Sequence, residues 1–210
     1  MRLPTYRPDQ LTAEQRGVYE ASEEIVNSAS LAGFQVKSDD GALMGPWSVL
    51  MNFPAIAFGF GQFTSEVEKM RGLSHRARQV VILTVAGHLN AAYELYAHSA
   101  VGAEAGLTPS QVAILSTGGR PADLNVEESL AAEVASALLR RGVLPAPTYE
   151  AIVTTLGQDA LDAMVFVTIV YLALGCMLNA YDVVAGEPTS WVSRAVGNSR
   201  PNNSVSARPH

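Results

Sequence analysis

The longest uncharged stretch of the chain, from Ala163 to Tyr181, sets the first constraint on the fold. As a helix it is nearly long enough to span a bilayer. However, Asp162 and Asp182 flank it, and neither end carries the Lys or Arg that would orient a membrane helix. We therefore expect a helix buried in a protein core or between subunits, and no membrane insertion.

Composition bears on the same choice. Apolar residues make up 48% of the 210 residues and charged residues only 16%, below the roughly 25% that is usual. Such a chain either enters a membrane or buries extra surface between subunits, and we prefer the second explanation. The net charge of −6 and the lack of a basic stretch argue against nucleic-acid binding.

The single cysteine, Cys176, excludes an intramolecular disulfide, and we expect a buried thiol. No signal-like apolar stretch opens the chain, which predicts a cytoplasmic protein.

Helix start signals recur along the chain, and no strand alternation is found, so the sequence predicts an all-α fold. Thr12 with Gln15 and Asn125 with Glu128 have capping-box spacing, and Thr108 precedes a proline. The predicted helices cover 12–28, 46–53, 54–70, 75–89, 91–105, 109–117, 126–141, 146–156 and 159–184. A loop is expected over 29–45. Residues 1–185 form the predicted domain, and 186–210 a tail without a core of its own.

Glu94 and His98 are the strongest candidates for acid–base chemistry. Their spacing of four residues places them on one face of a helix. On an exposed face they would be a solvated pair of little consequence. The apolar run 80–86 before them and the small residues after them favour a sheltered site instead. His88 could add a metal ligand, but the spacing does not match the His-Glu-x-x-His pattern, and we predict no metal.

Three arginines, Arg71, Arg76 and Arg78, surround the start of the helix that follows Gly72. They are either a solvated helix end or a clamp for an anionic substrate, because guanidinium pairs bidentately with carboxylate. The aromatic residues before them are expected to form core or the walls of a pocket: Trp47, Phe53, Phe58, Phe60 and Phe63.

Several segments together resemble the carboxymuconolactone decarboxylase family, which shares the fold of the alkylhydroperoxidase AhpD. The resemblance covers roughly 46–181 and is carried by Ser-His-Arg-Ala-Arg-Gln at 74–79, Tyr-Glu-Leu-Tyr-Ala-His at 93–98 and Ala-Gly-Leu-Thr at 105–108. The peroxidase branch has a Cys-x-x-Cys pair where this chain has Ala91 and Glu94, and a Glu where it has Gln79. We therefore expect no thiol peroxidase activity. The decarboxylase branch carries Glu-x-x-x-His, which Glu94 and His98 reproduce.

The resemblance implies an AhpD-like helical bundle that assembles as a trimer or hexamer. It also implies a lyase without cofactor, acting on a small carboxylated lactone or conjugated organic acid. His98 would be the general acid, and Glu94 would hold its ring and raise its pKa. The predicted substrate-binding residues are Arg71, Arg76, Arg78, Gln79, Tyr93, His88 and Tyr171.

Two alternatives remain open on sequence grounds. The family commonly has Gly-x-Pro after the tyrosine that matches Tyr171, whereas this chain has Leu-Ala-Leu-Gly at 172–175. A different proton-transfer enzyme of a catabolic or natural-product pathway, such as an isomerase, cyclase or dehydratase, would fit that departure. A non-catalytic ligand-binding protein is the other alternative, and it predicts a separated or solvent-facing Glu94 and His98.

Overall fold

The computed structural model describes residues 1–26 and 33–185, and in them the protein is a bundle of nine α-helices. One antiparallel bridge, between Lys37 and Leu43, is the only extended pairing in that part of the chain. The all-α prediction is confirmed. The helices are α1 (Ala13–Val26), α2 (Pro46–Leu50), α3 (Pro54–Glu68), α4 (His75–Leu89), α5 (Ala92–Glu104), α6 (Pro109–Ser116), α7 (Val126–Arg141), α8 (Ala146–Leu156) and α9 (Gln158–Ala180).

The capping signals fix several of these boundaries. The Ser74 hydroxyl accepts a hydrogen bond from the Ala77 amide, and both Thr108 and Asn125 form complete capping boxes. Asn90 ends α4 in the left-handed conformation. The predicted boundaries at 53 and 184 were too late, because α2 ends at Leu50 and α9 at Ala180. The predicted tail, 186–210, lies outside the described residues.

Helix α4 occupies the centre of the bundle, which explains why its residues from Ala77 to Ala86 are all buried. It packs against α5, α6, α7 and α9. Val81, Ile82 and Val85 lie in the core with residues of α7 and α9, while Val80 and Leu83 face a second cluster that includes α6. This central helix carries the buried polar side chains of Arg78 and Gln79.

Helix α9 is the described helix that is long and apolar enough to cross a membrane by length and composition, with a mean hydropathy of 2.2. One of its faces, including Met164 and Val167, is buried in the core. The opposite face leaves Phe166, Ile169 and Leu172 exposed. Cys176 is exposed as well, so the prediction of a buried thiol was wrong.

The described part of the predicted loop, 33–45, is fastened to α5 by two tyrosines. The Tyr93 hydroxyl donates to the Gln35 carbonyl at 3.0 Å, and the Gln35 amide donates to the Tyr96 hydroxyl at 2.9 Å. Gly45 has a φ of +62°, and a Cβ there would overlap the Tyr93 ring. The loop therefore lies tightly against the helix that carries Glu94 and His98.

Candidate active site

A cavity of about 650 Å³ lies among α1, α2, α3, α4, α5 and α9. Its walls are mostly apolar, and Trp47, Phe58 and Phe60 contribute to them as predicted, whereas Phe53 and Phe63 lie outside the lining. The polar side chains concentrate on α4, α5 and the C-terminal turn of α3. They include Glu68, His75, Arg78, Gln79, Glu94 and His98. The volume is in the range of pockets that hold small organic molecules.

Glu94 and His98 converge in the wall of this cavity. Both lie on the same face of α5, with 3.4 Å between His98 Nε2 and Glu94 Oε2. Glu94 is only 3% exposed. The interpretation as a solvated surface pair is therefore wrong, and the separation expected of a non-catalytic protein is not found.

Gln79 contacts the other side of the imidazole. Its Oε1 lies 2.9 Å from His98 Nδ1. Nε2 is therefore the ring nitrogen that faces Glu94, and the two nitrogens of the ring have different neighbours. Gln79 was predicted to bind substrate, and the structure shows that its amide oxygen contacts His98.

Tyr171 packs against the same imidazole from α9. The two rings meet edge to face, with 4.9 Å between centroids and an interplanar angle of 89°. Burial raises the pKa of Tyr171 well above its usual value, with smaller contributions from Glu68 and Glu94. No described residue forms a hydrogen bond with its hydroxyl, and Tyr171 lines the cavity, as a substrate-binding residue should.

Burial keeps both members of the Glu94–His98 pair uncharged. It raises the pKa of Glu94 from 4.5 to about 8. Burial, with a smaller contribution from the charge of His75, lowers the pKa of His98 from 6.5 to about 3. The prediction that Glu94 raises the pKa of His98 was wrong, because desolvation outweighs the attraction and neutralises the carboxylate first.

Of the three predicted arginines, Arg78 alone reaches the cavity lining. It donates to the carbonyls of Val67 at 3.3 Å and Met70 at 3.2 Å, and lies 3.7 Å from the half-exposed Glu68 carboxylate. A guanidinium has five N–H donors, so this buried cation keeps donors for a ligand.

Arg71, Arg76 and His88 are not brought to the cavity, which corrects their predicted role in substrate binding. Arg76 instead pairs with Glu128 at 2.6 Å and donates to Gly106 and Gln111. Arg71 and His88 are exposed and absent from the lining. Tyr93 does line the cavity with its ring, but its hydroxyl is used by Gln35. Among the described residues, no three His, Cys, Asp or Glu side chains could together hold a metal ion.

Sequence reasoning missed His75 and Glu68, which also line the cavity. A signal for His75 was present, because His75, Arg78, Gln79 and Ile82 have the spacing of one helical face. Glu68 could not be found in this way, since it reaches the site through the packing of α3.

No protein-family model and no curated protein matches this sequence. Solved structures do resemble it. One is an uncharacterized peroxidase-related protein from Ralstonia eutropha JMP134, described as an alkylhydroperoxidase AhpD core. It has a TM-score of 0.71 and 14% identity, covering 89% of this chain and 92% of that one. Another is a cysteine-to-alanine variant of the debrominase Bmp8 in complex with 2,3,4-tribromopyrrole. It has a TM-score of 0.66 and 15% identity, covering 94% and 96%.

These comparisons show that the chain has an AhpD-like fold, as the sequence resemblance implied. At such low identities they show the fold alone. The decarboxylase branch of that resemblance remains a prediction.

Proposed function

We propose that the protein is an enzyme that transfers a proton to a small, largely apolar organic acid or lactone as that molecule loses carbon dioxide. The observation that carries the proposal is the uncharged Glu94–His98 pair in the wall of the cavity. Most carboxyl groups have lost their proton at pH 7. A carboxyl group that keeps its proton there can act as a general acid.

The substrate carboxylate would enter a site of low polarity. Arg78 lines the cavity and can contact an acid group, while its hydrogen bonds to carbonyls at and just after the C-terminal end of α3 hold it in place. The bond between the ring carbon and the carboxylate breaks, carbon dioxide leaves, and the electron pair moves onto a conjugated carbonyl to give a dienolate. The substrate is its own electron sink, so we propose no cofactor.

The dienolate then needs a hydrogen-bond donor and a proton. Tyr171 can donate to the enolate oxygen, since its hydroxyl has no partner among the described residues. Glu94 holds the proton that is delivered to carbon, and it recovers one from water in each turnover. This proposal differs from the mechanism predicted from the sequence, in which His98 was the general acid.

The solved structures support a small cyclic ligand on this fold, since one of them binds a tribromopyrrole. We do not propose thiol chemistry, because the single cysteine lies on the outer face of α9.

The test is incubation of the purified protein with small carboxylated lactones in deuterated water, while carbon dioxide release is measured. We expect Glu94→Gln and His98→Ala to lower turnover by about a hundredfold or more. Thr84→Val is a matched control, because Thr84 is buried on α4 outside the lining and bonds only its own helix. Unchanged turnover in His98→Ala would contradict the proposed site.

Isomerisation is the second candidate, favoured by one specific observation. His98 Nε2 can accept a proton next to Glu94, which can donate one, as a proton shift within a conjugated acid requires. Deuterium incorporation without carbon dioxide release would select this reaction. Tight binding without either signal would select a ligand-binding protein and exclude both enzymes.

We also propose that the protein is a homo-oligomer, as the resemblance implies for a trimer or hexamer. Phe166 and Ile169 of α9 and Ile56 and Phe63 of α3 are exposed, and the rings of Phe63 and Phe166 lie 6.3 Å apart. Sedimentation of the wild type and of Ile169→Lys tests this, and a monomeric wild type would contradict it. The cytoplasmic location stays a prediction.

A further inference from the structure

Gln79 is the least explained polar residue of the site. It is 3% exposed, and its amide oxygen lies 2.9 Å from His98 Nδ1. The other ring nitrogen, Nε2, faces Glu94. A neutral imidazole carries one N–H, so one nitrogen must donate while the other accepts. The neighbours of the ring therefore decide which tautomer is present.

We infer that Gln79 is a positioning residue that holds the His98 proton on Nδ1, so that the mobile proton of the site rests on Glu94. With Nδ1–H bonded to the Gln79 oxygen, Nε2 presents its lone pair to Glu94. In that arrangement the carboxyl must be the donor across the 3.4 Å gap. For its catalytic consequence, this inference rests on the proposed function.

A neutral partner is needed at Nδ1 for this arrangement. A carboxylate there would stabilise an imidazolium and draw the proton from Glu94 to His98. Gln79 accepts the hydrogen bond without adding a charge. His75 of α4 acts in the same direction, because its charge disfavours an imidazolium at His98, and Arg78 of α4 also lines the cavity. Glu68 of α3 is half exposed, and Tyr171 of α9 is held un-ionised by burial.

The direct test is nitrogen NMR of the full chain labelled in its four histidines, recorded from about pH 5 to about pH 9. His98→Asn identifies the signals of His98. The wild type should show the Nδ1–H tautomer and no imidazolium near neutral pH. Gln79→Leu should shift the ring towards the Nε2–H tautomer, and the nearly isosteric Gln79→Glu should raise the pKa of His98 by more than one unit.

Thr84→Val is again the control and should leave the His98 signals unchanged. An Nε2–H tautomer in the wild type would overturn the inference, since it would mean that Gln79 presents its NH₂ group to the ring. Identical spectra for the wild type and Gln79→Glu would overturn it as well.

Kinetics separates this inference from the proposed function. Gln79→Glu should lower kcat by about tenfold or more and shift the pH profile, with a smaller change in KM. An unchanged pH profile with altered NMR signals would refute the catalytic consequence of Gln79. Absence of turnover in the wild type, together with the expected tautomer, would refute the proposed function and leave the positioning of His98 intact.

Discussion

Two buried glutamates, Glu128 and Glu94, occupy the same bundle with similar exposure, 2% and 3%, yet their surroundings differ. Glu128 accepts hydrogen bonds from Arg76 at 2.6 Å and from the Asn125 side chain at 2.7 Å and backbone at 3.2 Å. Glu94 has only an imidazole at 3.4 Å, and no hydrogen bond from the described residues reaches its carboxyl.

The difference separates a carboxylate with a structural role from the carboxyl to which we assign a chemical role in the proposed function. The carboxylate oxygens of Glu128 accept hydrogen bonds, and the side chain ties α7 to α4 through Arg76. No described residue donates a hydrogen bond to the buried carboxyl of Glu94. The group therefore avoids the cost of a buried charge by keeping its proton. In the proposed function this proton is the one delivered to a ligand, since Glu94 lines the cavity. Burial alone would not have distinguished the two residues.

The largest expected effect comes from breaking the structural pair. Arg76→Leu leaves Glu128 buried without its counter-ion and should lower the free energy of unfolding by about 3 kcal/mol. Urea denaturation measures this change in the free energy of unfolding. Arg120→Ala is the control, because both members of its pair with Glu133 are more exposed than Arg76 and Glu128, and it should cost under about 1 kcal/mol. Equal losses of unfolding free energy in the two variants would mean that the Arg76–Glu128 pair stabilises the protein no more than the Arg120–Glu133 pair does.

The second prediction concerns pH and the chemical carboxylate. Since the pKa of Glu94 is raised from 4.5 to about 8, folding binds a proton between these values, and stability falls as pH rises. The pKa of His98 is lowered from 6.5 to about 3, so stability falls as pH drops below 6.5. Between 4.5 and 6.5 the two slopes cancel. From pH 6.5 to about 8 only the Glu94 slope remains, at most about 1.4 kcal/mol per pH unit.

Glu94→Gln should abolish this alkaline slope, so that its stability relative to the wild type rises by up to about 2 kcal/mol from pH 6.5 to about 8. Thermal unfolding at a series of pH values measures the effect. Glu128→Gln is the matched control, and we expect it to destabilise the protein across the whole range because Arg76 loses its partner. A wild type whose stability is flat from pH 6.5 to 8 would show that Glu94 is already ionised.

The sequence predicted the helices well, because capping residues such as Thr108 and Asn125 act locally. It also paired Glu94 with His98, since helical spacing is enough to place them on one face. It failed where packing between helices decides. Arg76 and Arg78 are two residues apart, yet one binds Glu128 and the other lines the cavity. The pKa of His98 was predicted in the wrong direction, because desolvation depends on neighbours that local spacing does not show.

The smallest expected effect on stability is at Tyr171. A small effect on stability together with a large effect on kcat would distinguish it from structural residues such as Glu128. Its hydroxyl has no partner among the described residues, so Tyr171→Phe should change the free energy of unfolding by under about 1 kcal/mol. If the hydroxyl stabilises a dienolate, kcat should fall by about tenfold to a hundredfold while KM changes less. Denaturation and steady-state kinetics on the same preparation measure both. A large loss of stability with unchanged kcat would make Tyr171 a packing residue like those of the core.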